Sequence, residues 1–291
     1  MKRISAFLLA LALALGIYGC GESRDTSFRV LDTVGVRHYG LIYRLDDRLA
    51  PQVDQAMKTL AARGELSAIS VRWLGQDVIT LKASRSDRAA QAEADKAREE
   101  AEEPPAEEVE ALPTQLEAPE EAEEASRRLI VGVEAEFQPM AFLENGVQRG
   151  MSIDITDALG RVLGWEVSYQ PIAPAEVEAQ LSSGNIDCAL GFDPAAVRAD
   201  RYTTGVSYMD SDVVVAVRPD SKVHRMRDVK GQRIGTISDP VIAAILAGND
   251  KVTRYASGAT VYLSPLRCVR ALDNGWCAAI AVDRLMLEHL T

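Results

Sequence analysis

The sequence predicts an α/β fold built on parallel sheets. The chain has 291 residues, 47% of them apolar, which is enough for a real core and fits one large domain or two ordinary ones. Beyond residue 127, short apolar runs alternate with helical stripes, and this alternation implies parallel strands joined by crossover helices. In such sheets ligands bind at the carboxyl ends of the strands.

The elements follow in order. Lys2 and Arg3 precede an apolar run, Ile4 to Ile17, that ends at Ile17-Tyr18-Gly19-Cys20. A basic start, a short apolar stretch and a small residue before the cut describe a secretory signal over residues 1–19. The run is too short for a comfortable membrane-spanning helix. Residues 20–27 are a tether. The segment 28–81 offers one strand, residues 39–43, and two helices. Val53, Ala56, Met57, Leu60 and Ala61 recur at helical spacing, with Gly64 as a stop; Leu66, Ile69, Ser70 and Trp73 form a second stripe before Gly75. One strand and two helices bury too little surface to fold alone, so this segment packs on something else.

Residues 82–126 read as an acidic Ala/Glu/Pro linker. From Ser84 to Ser126 there are 15 acidic and 4 basic residues, four prolines and no glycine, and this net −11 equals the formal charge of the whole chain. Its first part, Arg85 to Glu103, suits a solvated helix, and the rest suits a disordered spacer. The acidity argues against nucleic acid as a partner.

After the linker, strands are expected at 129–133, 166–170, 187–191, 213–217, 233–236, 252–256 and 278–282. Helices are expected near 152–163, 174–183, 240–247, 264–273 and 283–290. No GxGxxG, Walker loop, HExxH or GxSxG is present, so the nucleotide and hydrolase classes lose their main support. Three scattered histidines and four cysteines make no zinc site, and no metal or cofactor is expected. Cys188, Cys268 and Cys277 are an odd number with no CxxC, which favours buried thiols over a disulfide.

Several motifs in fixed order carry a resemblance. These are Leu129-Ile-Val-Gly-Val-Glu-Ala-Glu-Phe137, Gly150-Met-Ser-Ile-Asp154, Leu181-Ser-Ser-Gly-Asn-Ile-Asp187 and the stretch from Leu266 to Asp283. Together they resemble the type II periplasmic solute-binding proteins (bacterial extracellular solute-binding family 3), the polar amino-acid receptors of ABC importers. Ile17-Tyr-Gly-Cys20 resembles the bacterial lipobox, with Tyr18 bulkier than usual, and implies a lipidated Cys20. Tyr39-Gly-Leu-Ile-Tyr-Arg44 and Gly64-Glu-Leu-Ser-Ala-Ile-Ser-Val-Arg-Trp-Leu-Gly75 look like the family's usual C-terminal end, here placed first. The expected fold is therefore two-lobed, periplasmic-binding-protein-like (type II) and circularly permuted, with a ligand cleft between the lobes. The second lobe would comprise 28–44 and 213–291, and the first 45–81 and 127–212. A truncated tandem of two receptors is the competing arrangement.

The resemblance also implies a site. An amino acid needs a cation for its carboxylate, an anion for its ammonium and a wall for its side chain. Arg198 stands where the family has its carboxylate-binding arginine, with Arg201 as an alternative, and Asp283 where the family has its ammonium-binding aspartate, unless it only caps a helix. Glu134 and Phe137 follow the first strand of the matching region, on the loop that usually supplies a polar group and an aromatic lid. Asp193 and Asp239 depart from the family's small hydroxyl residues, which implies an altered ligand, either a cationic or a non-amino-acid solute, or weakened binding; if both face the cleft, cationic solutes would be favoured over acidic ones.

The expected function is that of a lipid-anchored solute-binding protein on the extracytoplasmic face of the bacterial cell membrane. It would be a monomer that takes a small amino-acid-like solute to an ABC permease. A sensory or interaction module on the same fold is the alternative. No nucleophile, base and oxyanion donors assemble, so no enzyme is expected.

Overall fold

The computed structural model describes residues 28–84, 87–89, 92, 93, 96 and 127–290. The signal-like run, Cys20 and most of the acidic linker, including most of its expected helix, lie outside the described residues.

Two long strands form the spine. β1 (Arg29–Arg44) and β7 (Tyr202–Val217) pair antiparallel from Arg29 opposite Val217 to Arg44 opposite Tyr202. Sequence patterning located only their apolar stretches, 39–43 and 213–217. Asp32, Gly35, Arg37 and His38 on β1 hide the rest, as do Asp210, Ser211 and Asp212 on β7. Cross-strand pairing overrides their weak strand propensity.

Two parallel trios attach to this ribbon. β2 (Arg128–Glu134) lies between β5 (Glu166–Ile172) and β6 (Cys188–Phe192), and β6 pairs with β1. On the other side β8 (Arg233–Ile237) lies between β9 (Gly258–Tyr262) and β10 (Ala279–Asp283), and β10 pairs with β7. The eight-stranded order is thus β5-β2-β6-β1-β7-β10-β8-β9. β6 runs antiparallel to β1 with Phe192 opposite Gly40, and β10 antiparallel to β7 with Asp283 opposite Val213. Both trios therefore aim their carboxyl ends at the middle of the ribbon. There Arg37 faces Ser211 and neither β6 nor β10 reaches.

The helices α1 (Ala50–Ala62) and α2 (Glu65–Leu74) bury Val53, Ala56, Met57, Leu60, Leu66, Ile69 and Ser70, the two stripes legible in the sequence. Both pack against α3 (Met151–Leu163). Trp73 Nε1 donates to Asp154 Oδ2 at 2.8 Å, and its ring meets Phe142 edge-on at 5.9 Å. Phe142 opens β3 (Phe142–Glu144), which forms a hairpin with β4 (Val147–Arg149). Gly150 then turns the chain into α3 with φ 130°; a Cβ there would lie 2.2 Å from the Met140 carbonyl oxygen.

The remaining helices are α4 (Val177–Ser183), α5 (Pro240–Gly248), α6 (Asp250–Tyr255), α7 (Pro265–Asp273) and α8 (Arg284–His289). One expectation is corrected here: residues 252–256 are not a strand. The Asn249 side chain accepts from the amides of Lys251 and Val252 and starts α6 instead. The strand comes just after, as β9.

Candidate functional site

Four carboxylates stand at the carboxyl ends of four parallel strands. Glu134 ends β2, Asp193 follows β6, Asp239 follows β8 and Asp283 ends β10. The opposed trios bring these ends together at the centre of the ribbon, where β1 presents Arg37 and, two residues on along the same face, Tyr39. All six side chains are buried, Arg37 and Asp283 completely.

Arg37 is the hub. Its Nη2 donates to Glu134 Oε2 at 2.7 Å and lies 3.2 Å from Asp239 Oδ2. Its guanidinium carbon sits 4.8 Å from the ring centroids of both Tyr39 and Phe137. Charge over an aromatic face is attractive, more so away from water. Its Nη1 reaches Tyr39 Oη at 3.4 Å, whereas the buried Nε has no partner among the described residues.

The acids are held by their own helices. Asp283 Oδ2 accepts from Tyr39 Oη at 2.7 Å, while its Oδ1 accepts from Ser211 Oγ at 2.7 Å and from the Met286 amide. Asp239 caps α5, with Oδ1 accepting from the amides of Val241 and Ile242 and Oδ2 turned to Arg37. Asp193 accepts from the Ala195 amide through Oδ1 and from the His38 amide through Oδ2. Capping and cleft placement are thus the same position, because the turn after a parallel strand is also a helix N-terminus.

One cation faces three carboxylates, and the protonation behaviour reflects it. Burial disfavours charge on Arg37, but Glu134, Tyr39, Asp239 and Asp283 outweigh that, so its pKa lies well above the usual arginine value. Glu134 is pushed up to about 7 by burial, with Asp239 and Asp283 adding to the effect and Arg37 opposing it. Burial likewise raises the Tyr39 phenol, which stays a hydrogen-bond donor.

Of the residues singled out in the sequence, Glu134, Phe137 and Asp239 meet at Arg37, Asp283 is joined to it through Tyr39, and Asp193 lies against the next residue of the same strand. Arg198 does not join them. It is half-exposed on the outer surface, with Nε 3.3 Å from Glu178 Oε2, in a shallow depression that Arg201 also lines. Arg37 and Ser211 were not singled out in the sequence, nor were the contacts of Tyr39 with Arg37 and Asp283. Their signal was period-2 alternation through Arg37, Tyr39 and Leu41, a strand starting well before residue 39.

A groove of about 450 Å³ runs beside the Phe137 loop between the two halves, with Ala135, Phe142 and Pro171 on one side and Ser264, Pro265 and Leu266 on the other. A cavity of about 1070 Å³ lies by Arg218, Arg233 and Trp276 at the amino ends of β8 and β10, away from the carboxylates. Among the described residues no group of His, Cys, Asp or Glu could hold a metal ion, and no helix is long and apolar enough to cross a membrane. Cys188, Cys268 and Cys277 are free and buried.

Acidic strand ends from the two parallel trios thus converge on one buried guanidinium at the centre of the sheet. Residues 129–280, just over half of the chain, match the bacterial extracellular solute-binding proteins, family 3, and the chain belongs to that family. It is 24% identical over 115 residues to the arginine-binding extracellular protein ArtP of Bacillus subtilis (strain 168), a match covering 39% of this chain and 45% of ArtP. The chain thus matches less than half the length of that curated relative. The fold resembles that of an ABC uptake transporter substrate-binding protein from Streptococcus pneumoniae with bound histidine, at TM-score 0.50 and 23% identity, covering 55% of this chain and 67% of that one. Holo ArgBP from T. maritima is similar at TM-score 0.45 and 21% identity, over 55% of this chain and 70% of ArgBP.

Proposed function

We propose that the chain captures a small cationic, amino-acid-like solute in the crevice between its two halves and delivers it to an ABC permease. The observation that carries this reading is the convergence of Glu134, Asp239 and two aromatic rings, from both sides of the sheet, on a single guanidinium. Such a box selects positive planar groups and repels acidic ones. The arginine-binding relative from Bacillus subtilis points the same way.

Two further parts belong to this proposal. The chain is circularly permuted: β1, α1 and α2 precede the family-matching segment in sequence, yet complete its sheet and pack on its α3. On this reading residues 28–44 and 213–291 form one lobe and residues 45–81 and 127–212 the other. Cys20 is acylated and anchors the protein at the extracytoplasmic face of the membrane, where it acts as a monomer.

A thermal-shift screen of amino acids, oligopeptides and polyamines tests the binding role, since a ligand at a hundredfold excess over its Kd stabilises the folded state by about 2.7 kcal/mol. Arginine-like solutes should raise the melting temperature, and glutamate and aspartate should not. The buried Arg37 favours a second reading, a sensory module that does not transport, and a complete absence of shifts would select it.

A further inference from the structure

We propose that Arg37 is a tethered occupant of the cleft, its guanidinium standing where that of a free solute would sit, so that a guanidinium-bearing solute binds by displacing it. The inference rests on the cleft being a solute site. Arg37 is fully buried, and both halves reach it, Glu134 from β2 and Asp239 from the β8–α5 turn. It lies 4.8 Å from the ring of Phe137 on one half and from that of Tyr39 on its own strand. These are the contacts that would grip a cationic side chain entering from solution, and Arg37 makes them from within.

The fit is incomplete in a telling way. Buried arginines frequently engage a carboxylate bidentately through their fork. Here one nitrogen, Nη2, serves both acids, while Nε is buried without a partner among the described residues. Two acidic side chains contact the guanidinium, and a third, Asp283, is linked to it through Tyr39. Arg37 also sits where the ribbon has no third strand: β6 begins pairing at Gly40, and β10 pairs with residues from Val213 onward. Its side chain can leave without breaking a neighbouring ladder. The tethered group keeps the two halves together in the absence of solute, and it lowers the apparent affinity for any competitor by the fraction of time the box is filled.

Hydrogen–deuterium exchange over residues 134–141 and 238–242 tests this in the full chain, with and without millimolar methylguanidinium. Slow exchange is expected in the unaltered protein. Arg37→Ala should raise exchange in both segments by about tenfold, and methylguanidinium should restore it while binding the variant about tenfold more tightly than the original. Exchange that the substitution leaves unchanged, or that methylguanidinium does not restore, overturns the proposal in favour of an ordinary structural ion pair. If Arg37→Ala does not fold, Arg37→Lys, which keeps the charge but loses the fork, takes its place; equal affinity of variant and original for methylguanidinium is then the overturning result. The two readings fail separately. Rescue by methylguanidinium with no amino acid bound by either protein would remove solute capture and keep the tethered occupant. An amino acid bound equally by both proteins would do the reverse.

Discussion

Tyr39 donates its phenolic hydrogen to Asp283 across 2.7 Å, joining the middle of β1 to the end of β10, where Asp283 caps α8, over a sequence separation of 244 residues. Both groups are buried, and Asp283 has no solvent to turn to. Tyr39→Phe keeps the ring against Arg37 but leaves Asp283 Oδ2 without its donor. The expected loss is about 1–3 kcal/mol in urea denaturation, the usual cost of one unsatisfied buried polar group. An unchanged midpoint would mean that water replaces the hydroxyl.

Glu134 gives stability a pH dependence. Its folded-state pKa is raised to about 7 from 4.5, chiefly by burial, so the folded state holds a proton that the unfolded chain has released between those values. Stability from this group is fully present below pH 4.5 and is lost as pH rises through 7, by an amount on the order of 3 kcal/mol. Glu134→Gln should flatten that slope between pH 4.5 and 7.5 when unfolding free energies are compared. A slope identical in the variant would assign it to other groups.

Gly150→Ala should destabilise strongly. The residue has φ 130°, and an added Cβ would lie 2.2 Å from the Met140 carbonyl oxygen, so backbone must move rather than a side chain. A loss above about 1 kcal/mol is expected, since alanine is incompatible with this conformation. Gly64→Ala shares only the unfavourable φ, at 73°, with open space around it, and should cost less. Calorimetric melting temperatures of the two variants should fall in that order.

Cutting the acidic linker should leave one particle. β1 pairs with β7 along its length and with β6 from Gly40 to Tyr43, and α1 and α2 pack on α3, so the two fragments stay joined by a sheet and a helical layer. Limited proteolysis between residues 99 and 124 followed by size exclusion should yield co-eluting fragments. Clean separation under native conditions would contradict the permuted arrangement.

Most of the fold was legible because its strands and helices alternate. The carboxyl ends of β2, β8 and β10 could be read from that alternation, whereas Glu134, Asp239 and Asp283 were singled out by resemblance to the family's motifs. Arg198 was placed by the same resemblance, at the family's spacing after Asp187, and the structure sets it on an exposed loop beside Glu178. Arg37 was hidden for another reason: an arginine between Val36 and His38 looks like a solvated strand edge. Its direction is fixed only by register, Arg37 opposite Ser211, and a one-residue slip would have sent it to solvent. Strand 252–256 failed because an asparagine cap counted for more than a short apolar run.

The place of β1 in the chain has a consequence in time. A growing polypeptide completes Arg44 well before Cys188, the first residue of β6, and Tyr202, the first of β7, exist. At synthesis rates of about 5–20 residues per second, the sixteen-residue strand waits about 7–30 s with both edges unpaired. Exposed edges of that kind recruit chaperones or other chains, and long-range pairing of this sort folds slowly. The polar residues Asp32, Arg37 and His38, which weaken β1 as an isolated strand, also make its edges poorer templates for wrong partners during that interval.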